Sequence, residues 1–331
     1  MTHFIHVPDE AIESYLDMPK VIDLMEHVFS NPDLCDMPPK IYLEKGLDGN
    51  DFRAMPARFG DFAGIKWAAL FPENGKNGHG PSVSATIILN SLQSGRPLAI
   101  MDGTLITSYR TAAVTGLATK YLSRTNSEIA AFVGCGFQTE FQIEAILNAR
   151  DIKHIKLFDL DEDKAVELCR HLVTAPYADK IRSCEVFDSV KECVRGSDIL
   201  TTLTPSREPF IMADWIEPGM HINAIGADAE GKQEFENDMV NICSTFVVDD
   251  KAQAFHSGES QHSQNKGPMF DLFYIVEHKT TRGVNGATKA RLEAENNGIS
   301  FFDSTGLAIE DIAVASEVYS AFLTERNGQD N

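Results

Sequence analysis

The chain contains two different patterns of hydrophobic and polar residues. In residues 8–30, apolar side chains recur at mixed three- and four-residue steps, which predicts a helix. Between residues 40 and 101, short segments rich in β-formers are separated by glycine-, asparagine- and aspartate-rich turns: KIYLE, DFRAMPARF, FAGIKWAAL, SVSATIIL and PLAIM. Strands that follow one another without helices between them favour an antiparallel sheet.

After a long helix predicted from Thr104 to Leu122, strand and helix segments alternate. They are IAAFVG, FQTEFQIEAILNAR, HIKLFDL, DEDKAVELCRHLVT, CEVF, DILTTLT, HINAIG and TFVVDD. This alternation is typical of a parallel sheet with crossover helices. FEN to Ile242 and Met269 to Val276 are predicted helices, and SFFDSTG is the last strand. LAIEDIAVASEVYSAFL is the last helix, before a polar tail that we expect to fray.

Composition narrows the possible partners. Twenty-nine Lys and Arg stand against 49 Asp and Glu in 331 residues, a formal net charge of -20. Because such a chain repels phosphates and anionic lipid surfaces, we expect no nucleic acid and no membrane partner. Six cysteines without a C-x-x-C pair are typical of reduced thiols in the cytoplasm. The start MTHFIHVPDE lacks the features of a signal peptide, and no apolar run approaches the ~20 residues that span a bilayer.

The segment AAFVGCGFQTEFQ joins a predicted strand to a predicted helix through Gly134 and Gly136. Gly134 would permit a sharp turn, and Gly136 would let the backbone approach a pyrophosphate at the positive end of the helix. The third glycine of the usual dinucleotide motif is absent, because Thr139 occupies its place. Two such glycines also occur in ordinary strand-to-helix turns, so that alternative stays open.

Asp159 bears on the choice of cofactor. It ends the next predicted strand, about 20 residues past the glycines, where an acidic side chain binds the adenosine ribose hydroxyls. A carboxylate there repels a 2′-phosphate, and no basic residue follows at once, so NAD(H) is favoured over NADP(H). The alternative is that Asp159 caps the following helix.

Three basic residues, Arg53, Lys66 and Arg110, lie among apolar or small neighbours. A cation in such surroundings needs a partner, which can be a carboxylate of the protein. Three together are better explained by an anionic ligand, such as a substrate carboxylate bound by a bidentate arginine.

Asp228 follows a predicted strand end, where open parallel sheets bind their ligands. It could exchange a proton with an amine there, or serve as a turn or cap residue. His256 and His262 lie in a predicted loop without the spacing of metal ligands, so no metal is expected.

Taken in order, these segments resemble the ornithine cyclodeaminase/mu-crystallin family, closest to its branch of archaeal-type alanine dehydrogenases and iminosuccinate or ketimine reductases. The resemblance runs from Arg53 to Ala313 through GIKWAALFPEN, LITSYRTAAVT, VGCGFQTEFQ, HINAIGADAEGKQE, HSGE and FFDSTGLAIED. It implies an α/β fold in which a Rossmann NAD-binding domain, residues 116–305, is inserted in a mixed α/β domain. That second domain, residues 1–115 plus 306–331, would bind substrate and form a homodimer.

The resemblance also implies roles for single residues. Lys66 and Arg110 would bind the substrate carboxylate with Arg53 beside them, and Lys66 and Asp228 would be catalytic. Lys66 could polarise a carbonyl oxygen if Arg53 and Arg110 lower its pKa. The implied cofactor residues are Thr111, Gly134, Gly136, Phe137, Gln138, Asp159, Thr202, Gly226, Asp228 and Gly306.

Arg53 separates the candidate activities. Cyclodeaminases of the family have E-L-M-P where this chain has Arg53-Ala54-Met55-Pro56, and that glutamate would pair with the distal amine of ornithine. An arginine repels the amine, so we expect an NAD(H)-dependent dehydrogenase or reductase of a small amino or imino acid. The alternatives are an ornithine cyclodeaminase that forms proline, and a non-catalytic binding protein, as mu-crystallin-like members suggest. The presence of Lys66, Arg110 and Asp228 argues against the latter.

Overall fold

The computed structural model describes residues 4–43, 50–237, 239–263, 269–278 and 295–329. The chain divides into two compact units, Met1–Thr111 with Leu307–Asn331, and Ala112–Gly306. The first and last parts of the chain therefore form one unit, and the second unit is inserted between them. The functions assigned above to two such domains stay predictions.

The first unit contains a seven-stranded sheet with the order β1-β7-β6-β5-β4-β2, in which β3 also pairs with β4. Its strands are β1 Ile5–His6, β2 Cys35–Asp36, β3 Ile41–Leu43, β4 Asp51–Phe59, β5 Phe62–Leu70, β6 Val83–Ser91 and β7 Pro97–Asp102. Its helices are α1 Asp9–Tyr15, α2 Met18–Ser30, the short α3 Asn74–Asn77, the start of α4 Thr104–Leu122, and the last helix α11 Ala308–Gln329, with a 3₁₀ turn at Pro32–Leu34. Strands β4 to β7 pair antiparallel, as the sequence predicts.

Alternation along β4 decides which face of this sheet is buried. Every second residue from Asp51 to Phe59 is buried, and the residues between them are only partly covered. The last helix, α11, packs across β4, β5 and β6 and also contacts α2. Its close approach depends on Gly64, where an added Cβ would lie 2.7 Å from Ile312 Cδ1. The C-terminal helix thus covers the buried sheet face.

The second unit is built on an eight-stranded parallel sheet with the order β10-β9-β8-β11-β12-β15-β13-β14. Its strands are β8 Ile129–Val133, β9 His154–Phe158, β10 Ser183–Val186, β11 Ile199–Thr202, β12 His221–Ala224, β13 Thr245–Val248, β14 Met269–Asp271 and β15 Ser300–Asp303. Its helices are α5 Phe137–Ala149, α6 Glu162–Leu172, α7 Val190–Val194, α8 Met239–Ile242, α9 Lys251–Ser257 and α10 Leu272–Glu277, with 3₁₀ turns at Ala178–Lys180, Ala213–Trp215 and Glu259–His262.

The strand order reverses direction at β8, which has β9 on one side and β11 on the other. Ligands of doubly wound sheets bind at such a switch point, beyond the carboxyl ends of the strands. The two ends here are Val133, directly before the glycine turn, and Thr202. Alternating strands and helices therefore produce the predicted Rossmann arrangement.

Several predicted elements were wrong in detail. The helix predicted over residues 8–30 is two helices, because α1 ends at Tyr15 and Asp17 caps α2 by accepting from the Lys20 amide. Pro19 fits the first turn of α2, where its missing N–H has no helical partner to lose. Within the segment from FEN to Ile242, the described helix is Met239–Ile242, and Met269–Asp271 is a strand before α10. His256 lies in α9 and His262 in a 3₁₀ turn rather than in a loop, and the last helix extends to Gln329.

Among the helices that the described ranges contain, none has both the length and the apolarity needed to cross a membrane.

Candidate active site

Lys66 lies in the middle of β5, on the sheet face that α11 covers, and is only 1% exposed. Its Nζ is 2.8 Å from Asp311 Oδ2 and donates to Thr107 Oγ1 at 3.3 Å. An ammonium group in this position is removed from water, so its protonated form depends on the carboxylates around it.

Arg110, on α4, shares one of those carboxylates with Lys66. Its Nε donates to Asp311 Oδ1 at 3.0 Å, and its Nη1 donates to Glu310 Oε2 at 2.7 Å. Burial first and the Arg110 charge second lower the pKa of Lys66 to about 8, while Asp311 and Glu310 act to raise it. The sequence had attributed this lowering to neighbouring arginines, but burial is its largest cause.

Arg53 lies on β4, on the same sheet face as Lys66. Its partner across the strands is Ala68, two residues from Lys66 on β5. The guanidinium binds Asp51 through Nε at 2.7 Å and Nη2 at 3.0 Å. Each of the three cations therefore has a protein carboxylate, and charge pairing alone does not require a ligand, contrary to the argument from sequence. Their roles in binding substrate stay predictions.

The glycine turn after β8 has the backbone that a dinucleotide-binding turn needs. Gly134 has φ +97°, and a Cβ added there would lie 2.9 Å from the Leu203 carbonyl oxygen. Gly136 has an ordinary φ of -81°, and an added Cβ would meet no described atom within 4 Å. Gly136 is also the N-cap of α5, without a side-chain cap for the first-turn amides. Open space beside uncapped amides fits the approach of a pyrophosphate.

Asp159 connects the end of β9 to this turn. Its Oδ2 accepts from the Cys135 amide at 2.7 Å, and its Oδ1 accepts from the Asp161 amide at 2.9 Å. The alternative that Asp159 caps the next helix was wrong, because the N-cap of α6 is Asp161. Asp159 thus stands beside the glycine turn, and the two together fit NAD(H).

The other cofactor residues predicted near the turn lie on helices. Phe137 and Gln138 begin α5, and Phe137 is 67% exposed with its ring edge-on to Phe141. Thr111 lies on α4 and donates its hydroxyl hydrogen to the Thr107 carbonyl at 2.7 Å. Their contacts with a cofactor stay predictions.

Asp228 follows β12 and forms an ion pair that sequence reasoning missed. Its Oδ1 is 2.6 Å from Lys232 Nζ, which also donates to the Gly226 carbonyl at 3.3 Å. The Asp228 side chain keeps 31% of its surface exposed. The i,i+4 spacing in DAEGK is the signal from which this pair could have been predicted.

Glu234 is a second missed residue, and it engages two of the predicted cofactor positions. Its carboxylate accepts from Thr202 Oγ1 at 2.6 Å, from the Thr204 amide at 2.7 Å and from the Gly226 amide at 3.0 Å. Burial raises the pKa of Glu234, and the hydrogen bonds from Thr202, Thr204 and Gly226 oppose that rise. Glu234 thus joins the loops that follow β11 and β12.

Two more buried acids continue this network. Glu259 accepts from the Glu234 amide at 2.6 Å, and Asp303 accepts from the amides of Glu259 at 3.0 Å and Ser260 at 2.9 Å. Burial raises the pKa of Asp303 to about 7. Burial and the charges of Glu234 and Asp303 raise the pKa of Glu259 well above its usual range. Three carboxylates in series therefore fix the loops at the carboxyl edge of the sheet.

Gly306, the last predicted cofactor residue, ends the second unit in a tight turn with φ +75°. Its amide donates to Asp249 Oδ2 at 2.7 Å, and its carbonyl accepts from Gln253 Nε2 at 2.9 Å. The structure thus gives Gly306 a conformational reason to be glycine.

Comparison with known proteins agrees with this arrangement. The chain is 40% identical over 323 residues to the alanine dehydrogenase of Archaeoglobus fulgidus, covering 96% of this chain and 95% of that protein. It is 34% identical over 261 residues to the ornithine cyclodeaminase of Agrobacterium tumefaciens, covering 78% of this chain and 68% of that protein.

A solved structure described as an archaeal alanine dehydrogenase dimer with bound NAD superposes with a TM-score of 0.83 at 37% identity. That match covers 98% of this chain and 97% of the solved one. The family pattern described as "Ornithine cyclodeaminase/mu-crystallin family" matches residues 6–326. The chain therefore belongs to the ornithine cyclodeaminase/mu-crystallin family.

Proposed function

We propose that this protein is an NAD(H)-dependent amino-acid dehydrogenase or imino-acid reductase that transfers a hydride between nicotinamide and the Cα of a small amino or imino acid. When bound, NAD(H) supplies or accepts that hydride. The glycine turn and Asp159 support NAD(H) as the cofactor, and the 40% identical alanine dehydrogenase supports the reaction class.

Lys66 and Arg110 hold the carboxylate of the substrate. Arg110 uses Nε and Nη1 for Asp311 and Glu310, and no described residue accepts a hydrogen bond from its Nη2. That amino group and the Lys66 ammonium can donate to the substrate's carboxylate. Fixing the carboxylate orients Cα, and such positioning can lower a barrier by several kcal/mol.

Asp228 exchanges the proton of the substrate's nitrogen. In the oxidative direction it accepts a proton from the ammonium, because only a neutral amine can expel a hydride. In the reductive direction it returns that proton to the new amine. The Lys232 ammonium lies 2.6 Å from the Asp228 carboxylate and so limits the rotation of the Asp228 side chain.

The position of Arg53 is the observation that favours a dehydrogenase over a cyclodeaminase. Arg53 is 7% exposed, lies on the same sheet face as Lys66, and is bound to Asp51 by two hydrogen bonds. The distal ammonium of ornithine would meet a like charge there, at a cost of several kcal/mol. A small side chain, or one with a second carboxylate, would avoid that repulsion.

The test follows NADH absorbance with 2-oxo acids in the presence of ammonia or methylamine, and with cyclic imines. We expect stoichiometric NADH oxidation with a small 2-oxo or 2-imino acid. In parallel, ornithine and catalytic NAD are incubated with the enzyme and the amino acids are analysed. We expect no proline, and Arg53→Glu should strongly weaken the native reaction. Proline formed at enzymatic rates would overturn this proposal in favour of a cyclodeaminase.

We also propose that the protein is a cytoplasmic homodimer. The sheet face opposite α11 exposes large apolar residues, including Trp67 at 43% and Ile88 at 40%. Exposed apolar patches mark protein interfaces, and the archaeal alanine dehydrogenase above is described as a dimer. All six cysteines are free thiols, which fits a reducing compartment. Sedimentation of Trp67→Asp with Ile88→Asp should give a monomer; an unchanged dimer would place the interface elsewhere.

A further inference from the structure

Two neighbouring carboxylates near the start of α11, Glu310 and Asp311, both contact Arg110, but of the two only Asp311 also contacts Lys66. Asp311 contacts both cations of the proposed carboxylate site, Lys66 through Oδ2 at 2.8 Å and Arg110 through Oδ1 at 3.0 Å. Glu310 contacts Arg110 at 2.7 Å, and no hydrogen bond or ion pair joins its side chain to Lys66. Asp311 is fully buried, so both contacts are shielded from water. A residue in this position can control two substrate-binding groups at once.

We propose that Asp311 is a positioning residue for the reaction: it fixes the orientation of Lys66 and Arg110 relative to each other and keeps Lys66 in the ammonium form that binds a carboxylate. This inference rests on the proposed function, because it assigns Asp311 to the site in which Lys66 and Arg110 hold the substrate.

The first argument is geometric. Lys66 comes from β5, Arg110 from α4 and Asp311 from α11, so three separate elements meet at one carboxylate. Thr107 completes the cluster, since its hydroxyl accepts from Lys66 at 3.3 Å and lies 3.5 Å from Asp311 Oδ1. Without Asp311, nothing described would connect the Lys66 ammonium directly to the Arg110 guanidinium.

The second argument concerns charge. Burial and the Arg110 charge lower the pKa of Lys66 to about 8, and Asp311 is the strongest group opposing them. Among the described residues, the other charged groups near this cluster are Glu310 on α11, which also raises the pKa of Lys66, and Arg53 with its partner Asp51 on β4, on the same sheet face as Lys66. Removing the Asp311 charge should therefore lower the pKa of Lys66 further and leave it neutral at pH values where the wild type is charged.

The experiment measures kcat/KM for the best amino-acid substrate from pH 6 to 10 with saturating NAD. Asp311→Asn keeps the shape and removes the charge. Glu310→Gln removes the acid that contacts Arg110 but not Lys66, and Glu317→Gln changes an exposed acid on the same helix as control. In Asp311→Asn, the alkaline fall of kcat/KM should move down by a pH unit or more, which lowers kcat/KM at pH 8 at least about five-fold because the wild-type Lys66 pKa is about 8. Glu310→Gln should move it less, and Glu317→Gln not at all. Asp311→Glu should restore the wild-type position.

A second readout follows the charge of Lys66 without substrate, through the NMR shift of its ¹³C-labelled Cε, assigned with Lys66→Arg. We expect Lys66 to titrate at lower pH in Asp311→Asn than in the wild type. An unchanged titration, or a loss of activity equal at every pH, would overturn the inference. If Asp311→Asn does not fold, Asp311→Glu decides: the inference requires it to keep the wild-type titration. A wild type without amino-acid activity would refute the proposed function instead, while the NMR titration would still test Asp311.

Discussion

Substituting alanine for each of the two glycines in the turn after β8 should have different effects, one on the stability of the fold and the other on cofactor binding. Gly134 has φ +97°, and its added Cβ would lie 2.9 Å from the Leu203 carbonyl oxygen. Gly136 has φ -81°, and its added Cβ would meet no atom of the described residues within 4 Å. Gly134→Ala should therefore damage the fold, and Gly136→Ala should damage cofactor binding.

The magnitudes follow from these geometries. A positive φ costs a residue with a Cβ about 1–2 kcal/mol, and the forced movement of packed backbone adds about 1–3 kcal/mol. Gly134→Ala should thus lower the free energy of unfolding by about 2–5 kcal/mol. Gly136→Ala should lower it by less than about 1 kcal/mol, the cost of a poorer N-cap. Its methyl group would fill the space beside the first-turn amides and weaken NADH binding at least ten-fold, or about 1.4 kcal/mol.

Both variants can be measured with two methods. Urea unfolding, followed by circular dichroism, gives the free energy of unfolding, and NADH fluorescence titration gives the dissociation constant. Each variant is the matched control for the other, because both carry the same Gly→Ala change in one turn, at positions two residues apart. Gly134→Ala with wild-type stability would refute the argument from backbone conformation. Gly136→Ala with wild-type NADH affinity would show that no pyrophosphate approaches the turn.

Three further predictions concern charge. NADH should give a higher kcat/KM than NADPH because Asp159 would face the 2′-phosphate, and equal use of the two would remove Asp159 from that role. Lys66→Ala and Arg110→Ala should nearly abolish turnover with NADH affinity intact, so a folded variant that keeps most of its activity would contradict the carboxylate site. Burial lowers the pKa of His221 to about 3, below its usual value of about 6.5. The folded state therefore loses stability as the pH falls from 6.5 towards 3, about 2 kcal/mol of it by pH 5. In His221→Gln, urea unfolding at pH 7 and pH 5 should lack that difference.

Local sequence determined most of the fold and the position of the glycine turn at which we propose that NAD(H) binds. Short segments rich in β-formers, separated by turns without helices, predicted the antiparallel strands, and strands alternating with helices predicted the parallel sheet. The glycine turn could be located because its requirements, a positive φ and open space, are met by single residues in a short segment. The family prediction is confirmed, because long ordered strings of residues carry it.

Tertiary structure decided how the charged groups pair. Arg110 and Asp311 are 201 residues apart, and they meet only because the last helix returns to cover the first sheet. Periodicity assigns Lys66, Arg110 and Asp311 each to an element, but it does not specify which elements pack together. Glu310 and Asp311 also lie among apolar neighbours, in LAIEDIAVA, which indicates that these acids need partners just as Arg53, Lys66 and Arg110 do. A charged residue among apolar neighbours in the sequence indicates that its side chain needs a partner. Which residue that partner is depends on how distant segments pack together.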